Sequence, residues 1–179
     1  MKPVLMIHEF REEFFDLPLE DFTLTFDDGL ASVIPFLDRL KTLNTEKIFF
    51  ISTDIVCPEC TFQDTSYITC TEAHRKAFKG DFSNYMKWSQ IQKIHESTNM
   101  FIGGHSHKHK EHSGSLRQNY LTIEADTDKM IEEFQKRFIH IDHFCYPYNK
   151  DYPLYEGIVK RYHVKHFYGN ERIDIKDII

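Results

Sequence analysis

Short apolar runs alternate with amphipathic stretches along the whole chain. Residues 3–8 (PVLMIH) read as a buried strand, and DFTLTFDDG reads as a second one that ends at two adjacent Asp. Residues 31–43 repeat apolar side chains at Ile34, Leu37 and Leu40, a helical period, and Pro35 suits a helix's first turn. The run 47–53 (KIFFIST) is β-branched and aromatic, hence a strand. Residues 54–83 show no period. A helix over 84–97 places Trp88, Ile91 and Ile94 on one side, and a short strand follows at 100–104. A long helix over 115–138 carries Leu116, Tyr120, Ile123, Met130, Phe134 and Phe138. Strands are predicted at 140–147, 163–168 and 172–175, with a helix at 151–162 between the first two.

Strands alternating with helices imply parallel βαβ units, in which function collects at the carboxyl ends of the strands. Three polar clusters fall at such ends: Asp27-Asp28, the tract His105-Ser106-His107-Lys108-His109, and Cys145-Tyr146-Pro147-Tyr148-Asn149. A paired Asp is most often a solvated turn, and a His-rich tract is often surface. Their coincidence at one rim argues for a shared task.

The bulk composition narrows the options. The 179 residues, 41% hydrophobic, are enough for one domain with a core, expected over 1–179 with a Cys-containing insert at about 54–83. A net charge of −6 argues against a general nucleic-acid binder, which would show a basic face. No apolar run approaches the length of a membrane span. The start MKPVLMIHEF turns acidic at once and reads as a strand, not a signal peptide, so a cytoplasmic location is expected, with reduced cysteines.

His105 and His109 are four apart, so on a helix they would share one face and one metal, with an Asp as third ligand. Three protein ligands leave the cation open to activate water, and a neighbouring carboxylate can take the proton. Two adjacent Asp thus divide the labour: one holds the metal, the other is the base.

These residues resemble the carbohydrate esterase family 4 polysaccharide deacetylases, the NodB-homology domain. TFDDG matches the first motif of that family, HSHKH the second (His-Ser/Thr-x-x-His), and FCYPYN is similar to the third. The resemblance runs over residues 3–175 and implies an α/β fold, a distorted, incomplete (β/α)7-type barrel. It implies a metal-dependent hydrolase removing N-acetyl groups, in second place O-acetyl groups, from a sugar or sugar-containing intermediate of surface-glycan synthesis. It also implies Asp27 as general base, Asp28, His105 and His109 as ligands of zinc (or of cobalt or another transition metal), and the Tyr148 backbone N–H as an oxyanion donor.

The chain departs from that pattern. Where many members carry an Arg that tethers the base, it has Cys145; Arg172 is the candidate replacement, with a surface arginine as the equal alternative. Asn149 stands where Gly is usual, and Asn tolerates left-handed backbone. No clear Leu-x-His supplies a late proton donor, which leaves His8, His163 and His166 as candidates. Tyr146, Tyr148, Tyr152, Phe167 and Tyr168 are candidates for stacking on sugar rings.

Cys57, Cys60, Cys70 and His74 form C-x2-C-x9-C-x3-H. One reading is a structural zinc site; the other is free thiols, or a loop over the active site without metal. Two alternatives to the enzyme remain at this stage. One is a catalytically weak or inactive metal-binding, glycan-binding relative. The other is a His-rich metal buffer.

Overall fold

The computed structural model describes residues 2–179. Seven strands form one sheet: β1 (Val4–Ile7), β2 (Thr23–Phe26), β3 (Lys47–Ile51), β4 (Met100–Gly104), β5 (His143–Cys145), β6 (His166–Tyr168) and β7 (Ile173–Asp174). The order is β6-β5-β4-β3-β2-β1-β7, and every pairing is parallel.

The edges of this sheet are joined by a very short link. β6 ends at Tyr168 and β7 starts at Ile173, on opposite edges. Six inter-strand gaps of about 4.8 Å would put the edges of a flat sheet about 29 Å apart. Five residue steps reach at most about 18 Å. The sheet therefore has to curl, and it forms the incomplete, distorted barrel that the motifs imply.

Strand alternation then sorts the two faces. Leu24, Phe26, Phe49 and Ile51 face the helices and belong to the main core, with Phe26 stacked on Phe49 at 4.6 Å between ring centres. Ile48, Phe50 and Cys145 form a separate buried cluster against Tyr168, with Thr25 fully buried as well. Gly103 is needed here, because a Cβ on it would lie 2.5 Å from the Phe50 ring.

The helices are shorter than the sequence suggests. Residues 31–36 form a 3-10 segment containing Pro35, and α1 covers only Leu37–Thr42. The predicted 84–97 helix starts late, as α3 (Trp88–His95), because Tyr85 and Lys87 make bridges to Leu30 and Cys57 first. The long helix is α4 (Leu116–Gln135), begun by a reciprocal cap: Ser115 Oγ accepts from the Gln118 N–H, and Gln118 Oε1 accepts from the Ser115 N–H. α5 covers Pro153–Val159.

The stretch 54–83 is not wholly irregular. It contains α2 (Cys70–Ala77), capped by Thr69, whose side chain accepts from the Glu72 N–H. Leu30, Ile68, Ala73 and Tyr85 form a small core of their own beneath it. Backbone hydrogen bonds from Met86 to Gly29 and from Ala31 to Asn84, both 2.8 Å, fasten this insert to the loop after β2. Among the described residues, no helix is long and apolar enough to cross a membrane.

Candidate metal centre and catalytic rim

The two carboxylates that end β2 have separate surroundings. The backbone N–H of Asp27 still donates to Ile7, extending the ladder between β1 and β2. The next two residues are left-handed, Asp28 at φ 69° and Gly29 at φ 72°. Asp tolerates that conformation, whereas a side chain at position 29 would also crowd Ile51, 3.1 Å from its Cβ. Both Asp side chains are buried.

Asp27 is clamped by Arg172. Nη1 donates to Oδ1 and Nη2 to Oδ2, each at 2.8 Å, a two-pronged pair. The same guanidinium donates to Thr25 Oγ1 (3.0 Å), Asn149 Oδ1 (2.9 Å) and the Gly169 carbonyl (3.2 Å), and lies 3.0 Å from Cys145 Sγ. Arg172 is thus no surface arginine: it comes from the short link that closes the barrel and occupies the space beside Cys145. Burial alone would raise the Asp27 pKa, but the charge and hydrogen bonds of Arg172 outweigh it and hold the carboxyl below its usual range.

Asp28 faces histidines instead. Its Oδ1 lies 3.2 Å from His105 Nε2 and 3.2 Å from His109 Nε2, and the two nitrogens are 3.2 Å apart. His105 is oriented from behind: its Nδ1 lies 2.9 Å from the Cys145 carbonyl, which can only accept, so Nε2 is left with a lone pair. His109 does not share a helix face with His105. The segment is a tight loop, with Ser106 at φ 67° and His109 at φ 50°, and Ser106 Oγ accepts from the His109 N–H at 2.8 Å. Asp126 on α4 fixes the loop by accepting from the N–H groups of His107 and Lys108.

Three lone-pair atoms facing one another at 3.2 Å repel unless a cation sits among them. Asp28 Oδ1 is buried with no hydrogen-bond partner. A tetrahedral site with bonds of about 2.1 Å has donor–donor edges of about 3.4 Å, so this triangle suits a small divalent metal. Burial would raise the Asp28 pKa, but where no cation takes that place, hydrogen bonds and charge from protonated His105 and His109 more than offset it and keep the carboxyl well below its usual range.

The other predicted positions divide. Tyr148 sits at the rim with φ 59°, followed by Asn149 at φ 55°, so the turn survives with Asn in place of Gly. The Tyr148 hydroxyl donates to the His109 carbonyl at 3.0 Å, and its ring lies 4.7 Å from that of His109. His8 lines the same cavity of about 630 Å³ as Asp27, Asp28, His105, His109 and Tyr148. His163 and His166 do not reach it: His163 follows α5 beside Ile139 and Arg161, and His166 stacks on His143. Of the aromatic candidates, Tyr146 is buried and Tyr168 packs on Phe50, while Tyr152 lines a neighbouring cavity of about 380 Å³ with Tyr148.

The cysteine motif is split. Cys57 is buried against Thr61 and Pro58, Cys60 is exposed, and neither joins Cys70 and His74 in a four-cornered site. Instead, α2 turns Cys70 and His74 towards Asp28: Cys70 Sγ donates to Oδ2 at 3.0 Å, and His74 Nε2 lies 3.5 Å from the same oxygen. The structural-zinc reading therefore fails, because the two halves of the motif face different neighbours. Three donor clusters capable of holding a divalent metal result: His8-Asp28-Cys70, Asp28-His74-His109 and Asp27-His105-Cys145.

A parallel, curled α/β sheet with paired Asp and a His-x3-His loop on its carboxyl rim defines a class of metal-site hydrolase folds. The sequence model of the polysaccharide deacetylase family matches residues 17–165, and the chain belongs to that family, the NodB-homology group. No curated protein sequence matches the chain. Solved structures share its fold. IcaB from Ammonifex degensii aligns at TM-score 0.65 and 17% identity over 97% of this chain and 91% of its own. The BpsB deacetylase domain from Bordetella bronchiseptica aligns at 0.64 and 13%, over 97% and 94%. A de-N-acetylase from Aggregatibacter actinomycetemcomitans aligns at 0.61 and 13%, over 94% and 76%.

Proposed function

We propose that this protein is a metal-dependent hydrolase that removes an acetyl group from the nitrogen of an acetamido sugar in surface-glycan synthesis. The observation that carries the reading is the division at the rim: Asp27 is held as an anion by Arg172, beside a triangle of Asp28, His105 and His109 that fits a cation. Family membership and the fold shared with solved deacetylases support it.

A divalent cation, zinc in our reading, polarises the acetyl carbonyl and eases the ionisation of water when bound. Asp28, His105 and His109 hold it. Asp27 takes a proton from the attacking water, and Arg172 keeps that carboxylate ionised and aimed. The Tyr148 N–H stabilises the oxyanion that forms as the C–O bond is made, a contribution on the order of 3 kcal/mol. His8, from the end of β1, is the residue of the cavity we assign to protonate the amine as the C–N bond breaks. Tyr148 and Tyr152 offer ring faces to the sugar.

The test is acetate release from a panel of N-acetylated oligosaccharides by metal-loaded protein, wild type and Asp27→Asn. Release by the wild type that falls at least a hundredfold in the variant supports the assignment. Equal release by both, or none by the loaded wild type on any substrate, removes it and leaves a metal-bearing glycan binder.

A further inference from the structure

The triangle of Asp28, His105 and His109 uses only one oxygen of Asp28. The second, Oδ2, is approached from the opposite element by Cys70 Sγ at 3.0 Å and His74 Nε2 at 3.5 Å. These two are four residues apart on α2, so they share one helix face and reach one point. His74 is held in place on both sides, its ring parallel to Tyr85 and 4.6 Å from His109. Its Nε2 is buried and has no hydrogen-bond partner. A buried imidazole nitrogen without a partner, beside a carboxylate whose other oxygen, Oδ1, also lacks one, is costly unless something else satisfies both. The chemistry of the set is imidazole, carboxylate and thiol, which selects zinc or cobalt over magnesium or calcium.

We infer that Cys70 and His74 are metal ligands, donated by the insert helix to the cation that Asp28 holds, so that the centre carries a thiolate besides imidazole and carboxylate. The inference rests on the proposed metal site and adds two donors to it. On binding, the Cys70 S–H bond breaks, its proton leaves to solvent, and a sulfur–metal bond forms, with no change of oxidation state. The insert then has a structural task as well: it brings a second helping of ligands to a rim built by the sheet.

The experiment is anaerobic titration of metal-free protein with Co²⁺, read by absorption. Wild type is expected to show a near-ultraviolet sulfur-to-cobalt charge-transfer band. Cys70→Ser is expected to lose that band while still binding Co²⁺, and Cys60→Ser, altered at the exposed cysteine, to keep it. His74→Gln is expected to weaken Co²⁺ binding at least about tenfold. Co²⁺ bound by wild type without a thiolate band overturns this inference and leaves the Asp28 site standing, with Cys70 and His74 as hydrogen-bond partners only. No Co²⁺ bound by wild type overturns both. Because the wild-type spectrum alone decides the first point, an unfolded variant does not rescue the inference.

Discussion

Asp27 and Asp28 are neighbours in sequence, both are buried, and both sit well inside the range where a carboxyl is ionised. What surrounds them differs. Asp27 meets a permanent cation, Arg172, that satisfies both its oxygens. Asp28 meets imidazoles and a thiol, groups that carry no fixed charge and that satisfy it poorly. A carboxylate completed by the protein is ready to exchange protons without moving. A carboxylate left incomplete is ready for a metal. The left-handed turn at Asp28 and Gly29 is what sends the two adjacent side chains into these separate settings.

That comparison breaks most visibly at Asp28. Asp28→Ala is expected to lose about one tightly held metal per chain, by elemental mass spectrometry of protein purified without a His-rich tag, and acetate release with it. Retention of the metal would show that the two carboxylates do not differ in this way. Asp27→Asn should do the opposite, keeping the metal while acetate release falls about 10²- to 10⁴-fold, the usual worth of a positioned base. Arg172→Met leaves the Asp27 charge buried without its partner. It is expected to cost about 3–5 kcal/mol of stability, seen as a lower denaturation midpoint, with Asp27→Asn/Arg172→Met recovering part of the loss.

The smallest effect concerns pH. The Asp27 pKa is depressed in the folded protein, so its contribution to stability is complete above the unfolded value, about 4, and is lost as pH falls through the folded value. In Arg172→Met the largest influence opposing burial is gone and only His8 and His105 remain against it, so that pKa rises; Asp27 then adds no acid-side loss, and its protonation relieves the destabilisation as pH falls. Melting curves between about pH 3 and 6 measure the difference. Coincident curves for the two proteins would mean that Arg172 does not set the charge state of Asp27.

Much of this rim was legible from the strands. Val4–Ile7, Thr23–Phe26 and Lys47–Ile51 are buried on both faces and read as strands from their apolar, β-branched and aromatic residues, and their last residues point to where the chemistry lies. The His tract was found for a reason that proved wrong in detail, since a left-handed loop, not a helix, brings His105 and His109 together. α2 was missed because only Ala73 of its eight residues is buried, so it carries no apolar stripe. Its Cys-x3-His spacing was a helical signal, yet the nearby C-x2-C drew it into the wrong set of partners. Arg172 was undecidable from spacing, because its reach to Asp27 depends on the sheet curling until its edges meet.

The pairing of Arg172 with Asp27 also has a consequence in time. The two residues are 145 positions apart, so this contact cannot form until long after Asp27 has been made. At about 5–20 residues per second on the ribosome, Arg172 follows Asp27 by roughly 7–30 s. Until then the nascent chain holds an acidic side chain that it cannot bury without loss, and the centre stays unassembled. The buried pair is thus completed only after residue 172 has been made, and a chain cut short before it would leave Asp27 without its partner.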